Sequence, residues 1–309
     1  MAEPPLEIHV PISPTDLFFN RIHYLAASIR EYGGALADAR IVVSIGADAE
    51  PEPIAGRLAW ARRYPIEWRW IDRDLFRKHS YFATRLVRFT HEFAAPVVMM
   101  LDPDVLAVSP LDDLIEAVAR SGAFHGVVAH TSPVRDEFTW EKLFASAGLA
   151  TPEFVCEHSG WGLMEKGPRS RRCPAYFNLG VMTAPADSMR RIGTTILNEL
   201  EAAYRHSRFF IAQPAVTLAI YRHAVAWRAM AMKFNFPNDQ RFAERYCDDF
   251  ADMRLVHYLR KDDFDKEVDF ASPKAIGALF DRDAMQPVNR TFLARLGPIH
   301  ARVLADLGR

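Results

Sequence analysis

Residues 96–114 read PVVMMLDPDVLAVSPLDDL. The run Val97-Val98-Met99-Met100-Leu101 is apolar without alternation, the pattern of a central parallel strand covered on both faces. Directly after it stand Asp102 and Asp104, separated by one proline. Two carboxylates one residue apart converge only in an extended or tight-turn geometry, where they can share one hard cation. Asp is also an ordinary turn and cap residue wherever strands end, so the motif by itself leaves both readings open.

Outward from this run, LEIHVPI (residues 6–12) predicts a strand, Ser13-Pro14-Thr15-Asp16 a turn and cap, and residues 17–32 a helix that stops at Gly33-Gly34. ARIVVSI (39–45) and residues 68–71 predict two further strands, the second reached through an arginine-bearing helix over 54–63, and a helix over 81–92 leads into the Val97 strand. Strands alternating with helices predict an α/β layered domain with a largely parallel sheet, whose ligands sit at the carboxyl ends of strands. Residues 131–172 lose periodicity and gather Pro133, Pro152, Gly160, Gly162, Gly167 and Pro168, predicting a long excursion with short helices at 137–147 and 152–157. AYFNLGVMT (175–183) is a strand, 188–206 an amphipathic helix, 212–222 another, 253–258 a strand, and the tail from Pro273 helical.

A chain of 309 residues, half of them apolar, can bury a large core. With 38 basic and 39 acidic residues it carries a net charge of -1, so no global field gathers nucleic acid or coats an anionic membrane, although peripheral membrane contact stays open. Cys156, Cys173 and Cys247 are odd in number, widely spaced and without a CxxC, which argues against a zinc site and for a reduced, cytoplasmic setting. The start lacks the basic and apolar regions of a leader, and no stretch reaches the roughly 18 to 20 apolar residues of a membrane span.

Thr84-Arg85, Arg88-Phe89, VVMMLDPDVLAVSPLDDL (97–114), FNLGVM (177–182) and His257-Tyr258 follow one another in an order that resembles the family 8 glycosyltransferases, the glycogenin and bacterial lipooligosaccharide galactosyltransferase group. The likeness spans roughly residues 5–262, and only the combination of its short motifs is specific. It implies a GT-A-type, Rossmann-like three-layer sandwich, with residues 1–262 as the catalytic domain, 131–172 as its lid, and 263–309 as a small helical extension.

The resemblance also implies roles. Asp102 and Asp104 would ligate a divalent cation, Asp102 also lying near the donor ribose, and His257 would be the third ligand. An imidazole suits Mn²⁺ better than Mg²⁺. Read alone, His257 is a half-buried strand histidine. Arg85 matches a position that reaches the donor phosphate or sugar, against the alternative of a surface ion pair on a helix with Arg77, Lys78 and Arg88.

Asn178 and Gly180 match the FNxGV strand, where the amide can hydrogen-bond the sugar or acceptor and the glycine admits close backbone approach. A purely structural Asn-Gly strand is the alternative. Gln213 falls where the family places a glutamine beneath the reacting sugar carbon, but its neighbours are Ala212 and Pro214 instead of acids, which puts the acceptor contact and sugar preference in question. Pro214 suits a first helical turn. Gln213, Asn178 and Asp104 are thus the expected catalytic residues. Pro11, Ile12 and Ser13 would pack the base and ribose by position alone, and Lys261 would meet the diphosphate unless it is only part of an exposed charge cluster. In the excursion, Ser159-Gly160-Trp161-Gly162 reads as a lid with a sugar-stacking ring, and Arg169-Ser170-Arg171-Arg172 as an anion grip or a solvated loop.

The expected reaction moves a hexose from a nucleoside-diphosphate sugar, a UDP-sugar, to the hydroxyl of a saccharide or other acceptor. Retention follows from the family mechanism, by front-face attack, since no second carboxylate presents itself as nucleophile. Two rivals stand beside it. One is an inactive GT-A-like nucleotide-sugar-binding protein. The other, a sugar-phosphate nucleotidyltransferase, needs a Gly- and Lys-rich loop after the first strand, and residues 11–16 hold none.

Overall fold

The computed structural model describes residues 5–54, 56–129, 137–157, 172–206, 210–259 and 263–308. Lys261, the Ser159 to Gly162 stretch and Arg169 to Arg171 lie outside the described residues. The apolar segments become β1 (Leu6–Ile12), β2 (Arg40–Ile45), β3 (Ile66–Trp70), β4 (Val97–Leu101), β5 (Val105–Ala107) and β6 (Phe124–Val128). The second half adds β7 (Cys156–Glu157), β8 (Arg172–Cys173), β9 (Phe177–Pro185), β10 (Trp227–Ala229), β11 (Phe236–Pro237) and β12 (Leu255–His257).

Seven strands form one sheet in the order β10-β6-β9-β4-β1-β2-β3. Four of its six pairings are parallel, and β9 runs antiparallel between β4 and β6. The mostly parallel α/β layering expected from the alternation is what the chain adopts. A smaller sheet, β11-β12-β5, stands beside it.

The flat apolar run of β4 follows from burial on both faces. Val97, Met99 and Leu101 join a core with Ile8 and Val10 of β1, Leu25 of the helix Asp16–Tyr32 and Phe292 of the helix Pro287–Asp306. Val98 and Met100 point the other way, into a core with Met182 of β9, Leu200 and Val216. Helices therefore cover both faces of the sheet. The C-terminal helix is tied to Asp16–Tyr32 by polar bonds as well: Tyr24 Oη to His300 Nδ1 (2.6 Å), His23 Nε2 to Asp306 Oδ2 (3.0 Å) and Tyr32 Oη to the Arg295 carbonyl (3.0 Å). No described helix is long and apolar enough to cross a membrane.

Three local expectations give way to competing physics. The helix over 54–63 shrinks to a 3₁₀ turn, Ala59–Arg63, after an extended Leu58 and Gly56. The amphipathic pattern over 188–206 is two helices, Ala186–Gly193 and Ile196–Tyr204, because the hydroxyls of Thr194 and Thr195 turn to His223 Nε2 (3.1 and 2.9 Å) at the break. Residues 152–157 do not form a helix: Cys156 and Glu157 pair as β7 with Cys173 and Arg172 of β8. Two cysteines distant in sequence thus lie directly opposite one another.

Candidate functional site

The polar end of β4 is fixed from two sides by main-chain bonds. The Asp102 N–H donates to Gly180 O on β9 (2.9 Å), and the Tyr258 N–H donates to Asp104 O (3.0 Å). Pro103, which has no N–H to satisfy, fills the bend, and its carbonyl accepts from the Tyr258 hydroxyl (3.2 Å). The small sheet pairs His257 of β12 with Val105 of β5, so the imidazole comes to rest beside the carboxylates.

Ligand-capable atoms of Asp102, Asp104 and His257 all lie within 4.8 Å of one another. His257 Nε2 is 3.4 Å from Asp104 Oδ1, and its Nδ1 is 3.0 Å from Asn235 Oδ1. Because a side-chain amide oxygen only accepts, Nδ1 carries the proton, and a neutral ring then aims its Nε2 lone pair at a carboxylate. That arrangement is repulsive unless a cation or a proton lies between the two. Asp102 Oδ1, buried and without a hydrogen-bond partner, adds a third ready donor atom. Two carboxylates and one imidazole fit a divalent cation.

A relay of side chains sets the imidazole. Asn235 Nδ2 donates to Asn178 Oδ1 (3.0 Å), which also accepts from the Gly180 N–H (2.7 Å). Gly180 itself makes room: a Cβ there would stand 2.5 Å from His257 Nδ1.

Positive charge surrounds the pair. Arg85 Nη2 bonds Asp102 Oδ2, and Lys266 Nζ bonds Asp104 Oδ2. Burial alone would raise the Asp104 pKa, but with a proton in place of the cation between His257 Nε2 and Asp104, that imidazolium and Lys266 outweigh it and hold the carboxyl well below its usual range. Arg88 is fully buried; its Nη1 donates to the carbonyls of His9 (2.9 Å) and Leu101 (2.8 Å), and Nη2 lies 3.9 Å from Asp102 Oδ1. Burial pulls its pKa down to about 9, opposed by Asp102, so it remains charged at neutral pH.

Two adjoining cavities meet here. One of about 280 Å³ is lined by Asp102, Asn178, Gln213, Asn235 and His257; the other, of about 430 Å³, by Pro11, Ile12, Ser13, Phe18, Tyr81 and Pro103. Arg85, Asp104 and Lys266 line both and mark the divide. Gln213 sits in the first turn of the helix Ala212–Arg222, and the Tyr176 hydroxyl donates to its Oε1.

The expected catalytic, metal and donor-binding residues thus fall around two connected hollows, except Lys261, outside the described residues, and Gly180, which stands behind His257; of the lid and anion-grip candidates only Arg172 is described, exposed on β8 and lining neither hollow. Sequence reasoning passed over Lys266, Asn235, Tyr176 and Tyr81. Nothing local marks Lys266 or Asn235, whose partners lie far away in sequence. The alternative that groups Arg88 with Arg77 and Lys78 on a helix surface does not hold for Arg88, which is buried against the carbonyls of His9 and Leu101.

The sequence matches no family model and no curated protein. The sheet order and flanking helices define a GT-A-type fold. Among solved structures with this fold, the galactosyltransferase LgtC in complex with donor and acceptor sugar analogues superposes with a TM-score of 0.56 at 16% identity, over 92% of this chain and 99% of that one. An active-site mutant of LgtC carrying glutamate for glutamine gives 0.53 at 16% identity, with the same coverage. The bifunctional glycosyltransferase WbbM gives 0.53 at 12% identity, over 92% of this chain and 53% of that one.

Proposed function

We propose that this protein is a metal-dependent glycosyltransferase that moves a hexose from a nucleoside-diphosphate sugar, a UDP-sugar, to an acceptor hydroxyl with retention of configuration. The convergence of Asp102, Asp104 and His257 at the carboxyl end of β4, in a GT-A-type fold, carries the reading. When bound, Mn²⁺ or Mg²⁺ supplies Lewis-acid compensation for the charge of a departing diphosphate. Asp102, Asp104 and His257 would hold it.

In this reading the larger cavity, walled by Pro11, Ile12, Ser13, Phe18 and Tyr81, takes the base and ribose. Arg85 and Lys266 sit where the hollows meet and neutralise the diphosphate, and Lys261 is a second candidate for that task. The smaller cavity takes the sugar and acceptor, with Asn178 and Gln213 on its wall. Asp102 and Asp104 are the only carboxylates among its described lining residues, which favours front-face attack over an enzyme nucleophile. LgtC, crystallised with donor and acceptor sugar analogues and mutated at an active-site glutamine, supports both the partners and a role for Gln213.

Ala212 and Pro214 favour one rival, a protein that binds nucleotide sugar without turning it over. Thermal-shift measurements with UDP- and GDP-sugars, each with and without Mn²⁺, beside an assay of nucleotide release, separate the readings. A UDP-sugar should raise the melting temperature only with the metal, because a ligand confined to the folded state stabilises it, and UDP should be released. Stabilisation without release supports the binding protein, and no metal-dependent shift with any donor refutes both.

A further inference from the structure

β7 and β8 form a two-stranded antiparallel ribbon in which Cys156 faces Cys173 and Glu157 faces Arg172. Directly opposite residues of such a pair project to the same side, with Cα atoms about 4.5 to 5.5 Å apart. That is within the span of a disulfide, about 4.4 to 6.8 Å. Both cysteines face inward, 6% and 0% exposed and part of the same apolar core, while Glu157 and Arg172 face out. The third cysteine, Cys247, is exposed and lies on a separate helix, Cys247–Ala251.

We propose that Cys156 and Cys173 are a modification site: a thiol pair that an external low-molecular-weight disulfide, such as oxidised glutathione, converts into a cross-strand bond. One protein thiolate attacks a sulfur of the external disulfide, forming a mixed disulfide and expelling one thiolate. The second protein thiolate then attacks the protein-bound sulfur and expels the other. Two protein thiols lose two electrons, the external disulfide becomes two thiols, and the two protons leave with them.

The strands already hold the two cysteines in register for this bond. The site is also wired to the proposed cleft. From Cys173 the chain passes through Ala175, whose N–H donates to the Tyr221 hydroxyl (3.0 Å) and whose carbonyl accepts from Thr217 (2.9 Å), to Tyr176 on Gln213. Closing the bond anchors the segment that supplies this wall. Burial holds the Cys156 thiol up at about 11, so exchange is slow at neutral pH and quickens as pH rises. The inference does not depend on the proposed enzymatic reading.

The full chain is incubated with oxidised glutathione at mildly alkaline pH for hours, remaining thiols are alkylated, and the digest is analysed by mass spectrometry. The expected result is a monomer with a Cys156–Cys173 cross-linked peptide, Cys247 as the one remaining alkylated or glutathionylated cysteine, and full reversal by dithiothreitol. A Cys247→Ser variant should give the same peptide, and Cys173→Ser should stop at the mixed disulfide on Cys156. Three unmodified thiols, stable glutathione adducts on both Cys156 and Cys173, or a bond to Cys247 in the native chain would each overturn the proposal.

Discussion

His257 Nε2 and Asp104 Oδ1 face one another at 3.4 Å, and the backbone beside them is joined by the bond from the Tyr258 N–H to Asp104 O. Two residues remote in sequence are thus set by strand pairing and not by a loop. A site built this way can lose a supporting side chain and keep its frame, so the proposed ligation can be probed one group at a time.

Asn235 orients the imidazole by accepting from Nδ1 at 3.0 Å. Partners of this kind typically contribute about 10- to 100-fold to metal affinity. Asn235→Ala should therefore weaken Mn²⁺ binding by about that factor, read by isothermal titration, with circular dichroism unchanged. Undiminished affinity would show that His257 is not a ligand.

Gly180→Ala places a methyl 2.5 Å from His257 Nδ1 and 2.8 Å from Asn178 Oδ1. The imidazole must move, since the backbone bond from Asp102 N–H to Gly180 O and the pairing of β9 with β4 hold the strand. We expect a lowered melting temperature and a Mn²⁺ affinity reduced at least as far as in Asn235→Ala. A variant that binds the metal normally contradicts the placement of His257.

Arg88 ties the middle of β1 to the end of β4 through the carbonyls of His9 and Leu101 and compensates buried Asp102. Removing one partner of a buried charged group typically costs about 3 to 5 kcal/mol. Arg88→Met should lower the urea midpoint accordingly, and Arg88→Lys should lose less. A loss below about 1 kcal/mol would be the value of an exposed pair and would contradict this burial.

Acid should destabilise the protein below about pH 6.5. Burial pushes His91 down to about 3 and also lowers His9, despite the Glu7 carboxylate bonded to it. An unfolded histidine titrates near 6.5, so between about 3 and 6.5 the unfolded chain binds more protons and stability falls as pH drops. Asp104 acts in the same sense lower down: its depressed pKa gives stability that is present above about 3.9, the ordinary Asp value, and is lost on further acidification. Urea midpoints at pH 7.5 and 5.0 should differ in this direction, and His91→Phe should flatten the slope. Equal midpoints would mean these histidines are solvated.

What the chain made legible was local. Residues 97–101 announced a doubly covered strand because burial on both faces removes alternation, and the two aspartates marked its polar end. Long-range chemistry was mute: Lys266 reaches Asp104, and Asn235 reaches His257 and Asn178, through folding that no spacing encodes. Cys156 and Cys173 looked unrelated for the same reason. Helical spacing alone does not separate buried Arg88 from its exposed neighbours Arg77 and Lys78, and the 188–206 pattern hides a break at which Thr194 and Thr195 turn to His223.

In the proposed site one divalent cation is held jointly by Asp102, Asp104 and His257. Anomalous diffraction from a crystal soaked with Mn²⁺ and UDP would locate it. We expect a single peak in direct coordination with all three side chains and with the diphosphate. A peak elsewhere, or no peak while UDP is bound, would contradict it.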